Sequence, residues 1–249
     1  MLIEAACGCN VGKLRRNNED NFLFCGRILP QTNNGTPQVL AQKLPVNDPQ
    51  LFAVFDGMGG EEAGEAAAFA AALAASRAPL QQANAAPCVF LQRLCDEMNR
   101  AVCTESQKLL FGRMGSTAAM LLFSKNTVYT CNLGDSRVYS FSKGRLLRLS
   151  EDHVEPLPPN SRRKAGLMQY LGIPEEDLRL EPHLTAHTAC SQDMYLLCSD
   201  GLTDMLTEQE IGAVLAAHKS VRQAAAKLIE KALQNGGKDN VTVLLCSIK

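Results

Sequence analysis

Little in this chain points to a polyanion or a bilayer. Its 249 residues carry 25 basic and 26 acidic side chains, a net charge of −1, which leaves no broad electrostatic footprint for nucleic acid or an anionic membrane. No apolar stretch approaches the ~20 residues that a bilayer-spanning helix needs. Glu4 stands close behind Met1 and no basic run precedes the first apolar residues, so the amino terminus does not read as a secretory leader. Cysteine is plentiful, at ten, but lacks arrangement. Cys7 and Cys9 flank a glycine, and no second cysteine or histidine pair completes a zinc spacing. Cys131, Cys198 and Cys246 lie inside strand-like runs, where a thiol serves as a small apolar filler. These absences predict a soluble chain of the reducing cytoplasm. Repeats and separating linkers are missing too, so one domain over 1–249 is expected, with 46% hydrophobic residues to fill its core.

What is present is a set of four aspartates, each at the tip of a short apolar run. Asp56 follows LFAVF, Asp135 follows VYTCNLG, Asp200 follows MYLLCS, and Asp239 precedes NVTVLLC. Such runs read as buried strands. A carboxylate at a strand end is held by rigid backbone while facing out of the core, which suits a hard cation such as Mg²⁺.

Strands are predicted at 2–7, 21–26, 51–55, 116–123, 127–132, 137–141, 194–198 and 240–247. Alanine dominates 61–77, with Glu61, Glu62 and Glu65 at the positive end of the expected helix. Residues 87–110 place Phe90, Leu91, Leu94, Met98 and Val102 at helical spacing. TEQE at Thr207 and SVRQ at Ser220 match the capping box, and the second of these helices should stop at Asn235-Gly236-Gly237. The Lys143-Gly144 turn favours an antiparallel hairpin. Residues 29–50 and 151–160 read as loops. Strands and helices are grouped rather than alternating, which argues for two packed sheets with helices outside.

Three local patterns carry further chemistry. Asp56-Gly57 and Asp200-Gly201 each lead from a strand into a helix, and glycine there lets backbone approach a ligand closely. The Gly57 carbonyl is a candidate cation ligand beside Asp56, and Asn240 a candidate partner that orients Asp239. In GKLRRNNED, residues 12–20, Arg15 has the fork geometry to grip phosphate. Spacing alone favours a plainer role, with Arg15 and Arg16 paired to Glu19 and Asp20 on the surface.

Seven segments in order, GKLRRNNED, FDGMGGEEAGEAAA, RMGSTAAMLL, CNLGDSRVYSF, LSEDH, YLLCSDGLTDML and GGKDNVTVLL, make the chain resemble the metal-dependent serine/threonine phosphatases of the phosphatase 2C type, in their bacterial single-domain form. The resemblance implies an α+β fold, a four-layer αββα sandwich of two antiparallel sheets flanked by helices, with two Mn²⁺ or Mg²⁺ ions at one edge. It implies that Asp56 bridges both ions, that Asp200 and Asp239 hold the first, and that the Gly57 carbonyl touches the second. Glu19 and Asp20 would complete the second ion's shell through water, Arg15 would bind phosphate, and Asp135 with Asp200 would hold a looser third ion.

The implied activity is hydrolysis of phosphoserine and phosphothreonine in proteins by a water shared between two ions, with a cognate kinase as the opposing partner and a monomer as the working form. Ser116, Thr117, Ser136 and Ser199 are then hydrogen-bonding rather than nucleophilic, and no cysteine sits in a Cys-x₅-Arg loop. Met58 stands where many eukaryotic relatives have histidine, and His153 is expected to be structural. The segment 153–178 is a shortened flap, proline-broken and then basic at Arg162, Arg163 and Lys164, with a solvated helix face as the expected setting of that trio. A regulatory pseudophosphatase or phosphoprotein-binding module on the same fold is the alternative, and its mark would be loss of a metal ligand. A nuclease is disfavoured by the missing basic footprint.

Overall fold

The computed structural model describes residues 2–45, 47–59, 63–108, 114–158, 163 and 165–249. Two antiparallel sheets form the centre. The first runs β3 (Leu40–Pro45), β1 (Leu2–Asn10), β12 (Val241–Ile248), β11 (Met194–Cys198), β8 (Arg137–Ser142), β9 (Arg145–Arg148). The second runs β10 (His183–Thr188), β7 (Thr127–Leu133), β6 (Ala118–Ser124), β4 (Gln50–Gly59), β2 (Asp20–Leu23), with β5 (Met114–Ser116) added to the far end of β4.

Strand alternation sorts the apolar residues into three cores. Ala119, Leu121 and Phe123 of β6 meet Leu244, Cys246 and Ile248 of β12 between the sheets. There Phe24, Phe52, Phe123 and Tyr195 stack in sequence, with ring centroids 6.2, 5.9 and 6.0 Å apart, at separations typical of favourable aromatic pairs. The opposite face of β6, through Ala118, Met120 and Leu122, packs under helices α1 (Ala63–Ser76) and α2 (Pro87–Ser106). Val241, Val243 and Leu245 of β12 pack under α4 (Glu208–Ala217) and α5 (Val221–Gln234), beside the short α3 (Asp200–Thr203). Both central strands are therefore buried on two faces, which explains their unbroken apolar sequences. The result is the expected four-layer arrangement.

The helix signals hold at Thr207, while at Ser220 only one half of the expected capping box is formed. Alanines 63, 66, 67, 68, 71, 72 and 75 are the buried face of α1, small enough to lay its backbone close to the sheet. Thr207 and Glu210 form a reciprocal capping box. Ser220 caps α5 by accepting the Gln223 amide, and α5 closes through the Gly237 N–H to the Ala232 carbonyl, with Gly236 and Gly237 at positive φ. The predicted start of α1 at 61–62 and end of α2 at 109–110 lie outside the described residues.

Two elements correct the sequence reading. The segment 29–50, expected to be a loop, contains β3, and β10 has no counterpart among the expected strands, whereas β9 is the second arm of the hairpin expected at Lys143-Gly144. β3 and β10 both lie at sheet edges and are partly exposed, so an edge strand without a buried face leaves no apolar alternation to read. The Lys143-Gly144 turn does join β8 to β9, with φ of 49° and 77°. The predicted strand 116–123 is broken at Thr117, whose role lies in the site. All ten cysteines are free thiols, and Cys131, Cys198 and Cys246 are fully buried. Among the described residues no helix is long and apolar enough to cross a membrane.

Candidate active site

One end of the sandwich gathers the chain's acidic residues around a pocket of roughly 390 Å³, lined by Arg15, Glu19, Asp56, Gly57, Asp135, Asp200 and Asp239, with Met58, Gly59 and Thr117. Its four aspartates come from different strand ends. Asp56 lies near the end of β4, Asp135 in the β7–β8 turn, Asp200 at the start of α3 just after β11, and Asp239 just before β12. Four carboxylates up to 183 residues apart in sequence are thus brought to one opening.

Backbone closeness sets the geometry. Asp56 donates its N–H to Thr117 Oγ1 at 3.1 Å, and Thr117 returns its own N–H to the Asp56 carbonyl at 2.9 Å. Thr117 Oγ1 in turn lies 2.6 Å from Ser136 Oγ, next to Asp135. Thr117 thus ties two of the acidic turns together. Gly57 touches backbone on both sides: a Cβ there would stand 2.0 Å from the Gly64 carbonyl oxygen and 2.7 Å from that of Glu19. Gly201 is equally crowded, with the Asn240 carbonyl oxygen 1.9 Å from where its Cβ would sit. The Asp135 turn is braced from behind, where His153 Nδ1 accepts the Gly134 N–H at 3.2 Å and Arg137 grips Asp152 with two nitrogens. His153 is structural, as expected.

Glu19 and Asp20 separate into different settings. Glu19 lines the pocket, and burial raises its carboxyl above the ordinary range, with Arg15 opposing. Asp20 lies beneath, 1% exposed and directly opposite Asp56 in the β2–β4 ladder. Its Oδ2 accepts from Ser199 Oγ and Thr242 Oγ1, both at 2.7 Å. Its Oδ1 is buried with no partner among the described residues. Burial pushes Asp20 up to about 7 against the pull of those hydroxyls, and burial with the charges of Asp200, Asp20, Asp135 and Asp239 holds Asp56 well above its usual range.

Arg15 does not pair with Glu19 or Asp20 as spacing had suggested. Its Nη2 meets Asp239 Oδ2 at 2.7 Å, across 224 residues, and a contact of that range leaves no local signal. Asn240 does more than was expected of it. Its backbone N–H donates to Asp239 Oδ1 at 2.9 Å. Its side chain accepts the Glu19 N–H at 2.7 Å and donates to the carbonyls of Val11 and Asn17 at 2.8 and 3.0 Å. Asn240→Ala strands these three backbone groups, each worth ~1–3 kcal/mol when left unpaired in a buried setting. Because the groups are only partly buried, the total belongs at the low end, ~3 kcal/mol, and we expect a thermal midpoint lower by about 6–12 °C, read by circular dichroism, with Asn240→Asp recovering only part of it.

The flap closes on itself. Val154 bridges Leu167, Glu155 Oε1 accepts the Gly166 N–H at 2.8 Å and Arg163 Nη1 at 2.5 Å, and Ala165 to Leu167 border the pocket. Arg163 is thus ion-paired rather than on a solvated helix face; Arg162 and Lys164 lie outside the described residues. Sequence reasoning also missed Thr242 and the burial of Glu65, whose Oε2 has no partner among the described residues. Neither leaves a signal, since one reads as a strand residue and the other as a helix-end charge.

These donors fit hard divalent cations. Oxygen ligands predominate, one buried carboxylate oxygen of Asp20 has no partner among the described residues, and Asp56 is crowded by like charges that a cation would relieve. Among the described residues no three acidic, histidine or cysteine side chains alone already encircle an ion, and Asp239 is engaged by Arg15.

Comparison with known proteins identifies the family and the fold. A family model described as Protein phosphatase 2C matches residues 32–163 and 160–241. The serine/threonine phosphatase stp of Listeria welshimeri is 32% identical, the match covering 94% of this chain and 91% of that one. The serine/threonine protein phosphatase PstP of Mycobacterium tuberculosis is 29% identical over the whole chain, which spans 45% of PstP. The crystal structure of the PstP catalytic domain in complex with 2 manganese ions superposes with a TM-score of 0.79 at 27% identity, covering 100% of both chains. PppA of Pseudomonas aeruginosa, described as a key regulatory component of T6SS, gives 0.78 at 26%, covering 98% of this chain and 97% of PppA.

Proposed function

The chain belongs to the protein phosphatase 2C family, and from that premise we propose that it hydrolyses phosphoserine and phosphothreonine in proteins with Mn²⁺ or Mg²⁺ as cofactor. The observation that carries this reading is the convergence of Asp56, Gly57, Asp200 and Asp239 on one pocket beside Arg15. The manganese-bound PstP structure supports the choice of metal. When ions bind, Asp56, Asp200, Asp239 and the Gly57 carbonyl would be the residues to hold them, and Glu19 and Asp20 would act on the second ion through water. Asp135 with Asp200 is the pair for a third. Two such ions, when bound, supply the Lewis acidity that makes a shared water a nucleophile at neutral pH and offset charge on the phosphate.

The chain's own residues do the remainder. Arg15 stands over the pocket, fully charged and aimed by Asp239, to orient the phosphate by its fork. Asp56 is held rigid through Thr117, so its oxygens stay where the reaction needs them. No histidine borders the pocket among the described residues, so the proton for the departing seryl or threonyl oxygen comes from water. A binding-only role finds no support in a missing ligand position. Free thiols throughout support a cytoplasmic setting, where a monomer would oppose a serine/threonine kinase.

The test is hydrolysis of p-nitrophenyl phosphate and of a phosphothreonine peptide with Mn²⁺, with Mg²⁺ and with chelator. Turnover with metal and its loss with chelator are expected; metal-independent turnover, or none, defeats the reading. Arg15→Ala should raise KM for the peptide about tenfold, the value of one charge-assisted contact of ~1.4 kcal/mol. Because Arg15 and a cation compete for Asp239, the same variant should bind Mn²⁺ at least as tightly as wild type by calorimetry.

A further inference from the structure

The loop that carries Arg15 is rigid yet presents its side chains to water. Gly12 sits at φ +82°, its missing Cβ only 2.3 Å from the Asp239 carbonyl oxygen. The Lys13 N–H donates to the Gly237 carbonyl at 2.7 Å, and Asn240 holds the loop at Val11, Asn17 and Glu19. On this frame Lys13, Leu14, Arg15, Arg16 and Asn17 are all exposed in a row. Leu14, at 69%, is the most exposed large hydrophobic side chain among the described residues.

The charges of this rim stand close together. Lys13, Arg16 and the adjoining Lys238 have no carboxylate partner among the described residues, as holds for many surface cations of the molecule, and they flank Arg15 and Asp239, which pair with each other. Lys13 and Lys238 reach the same turn, their side chains lying 3.2 and 3.6 Å from where Cβ atoms on Gly237 and Gly236 would stand. The chain as a whole is slightly acidic, with net charge −1, and the pocket floor strongly so. A local basic collar around an acidic pocket is therefore a matter of placement, not of composition.

We propose that Lys13, Arg16 and Lys238 form a docking rim for acidic side chains that flank the phosphorylated residue of a protein substrate, with Leu14 covering an apolar residue of the same segment. This rests on the phosphatase reading and adds the sequence preference of its substrate. Arg15 faces the phosphate, and its chain neighbours stand about 4–8 Å along the backbone, which matches one or two residues of an extended peptide. Charge complementarity selects an acidic flank: a basic one would meet the same collar with like charge. Held in place by four backbone hydrogen bonds, the rim loses little freedom on binding.

The experiment compares two phosphothreonine peptides of equal length, one with Asp and Glu around the phosphoresidue and one with Ser and Gln. Wild type should favour the acidic peptide by about tenfold in kcat/KM, through KM and less so at 0.5 M salt, as expected for a few partly screened pairs. The triple variant Lys13→Glu, Arg16→Glu, Lys238→Glu should lose or invert that preference. p-Nitrophenyl phosphate has no flanks and reports the metal centre separately. Equal use of both peptides by wild type, or an unchanged preference in the triple variant, overturns the rim. Should no substrate be hydrolysed, the catalytic reading fails. Fluorescence anisotropy of the same two peptides then still decides the rim: tighter binding of the acidic one, lost in the variant, upholds it, and equal binding sinks it.

Discussion

Asp56→Asn should cost at least about a thousandfold in Mn²⁺-dependent turnover, since on the proposed reading ligation by this carboxylate would underlie several kcal/mol of transition-state stabilisation. Its effect on stability should have the opposite sign. In the metal-free protein Asp56 is buried among Asp200, Asp20, Asp135 and Asp239, so ionised carboxylates repel one another there. Replacing one by a neutral amide removes part of that repulsion. We expect the metal-free variant to melt several degrees above metal-free wild type at pH 8, by differential scanning calorimetry, and to gain less from added Mn²⁺.

The pH dependence follows from the same groups. Asp20 titrates near 7 in the fold against an ordinary 3.8, so between those values the native state binds more protons than the unfolded chain. Stability of the metal-free protein therefore falls as pH rises through that window. Cations need the ionised carboxylates, so Mn²⁺ should stabilise more at pH 7.5 than at 5.5. Wild-type turnover in Asp56→Asn would end the metal assignment. A metal-free variant less stable than wild type at both pH values would mean that the carboxylates do not share one electrostatic site.

Gly57→Ala should be nearly as damaging, and for a purely steric reason. Gly57 has no positive φ to protect, but its Cβ would stand 2.0 Å from the Gly64 carbonyl oxygen and 2.7 Å from that of Glu19. Both obstacles are backbone, one at the start of α1 and one beside β2, so neither can swing aside. Overpacking in a tight core costs ~1–3 kcal/mol and occasionally more, and this contact belongs at the upper end, a midpoint lower by about 6–12 °C. Movement of β4 away from α1 would also displace Asp56, so activity should fall with stability. Gly26→Ala is the control: its φ is +74° with nothing within 4 Å of the added methyl, so only the modest strain of a left-handed alanine remains. A Gly57→Ala protein as stable as Gly26→Ala would show that α1 does not lie against β4 as described.

How much of this was legible beforehand depends on the range of each interaction. β12 and β6 announced themselves because both faces are buried and their apolar runs are continuous. α4 did so through Thr207 and Glu210, three residues apart. β3 and β10 did not, because an exposed edge imposes no alternation.

The residues alone determined which chemistry was available: hard oxygen donors at strand ends, glycines where backbone must crowd, and an arginine close by. Packing of the two sheets decided the assignments among them. It set Glu19 at the pocket and Asp20 beneath it, gave Arg15 to Asp239 rather than to its near neighbours, and made Asn240 the brace of a loop more than 220 residues away. The reason is physical: a side chain's type travels with the chain, whereas its burial and its partner are set by whichever distant strand is folded against it.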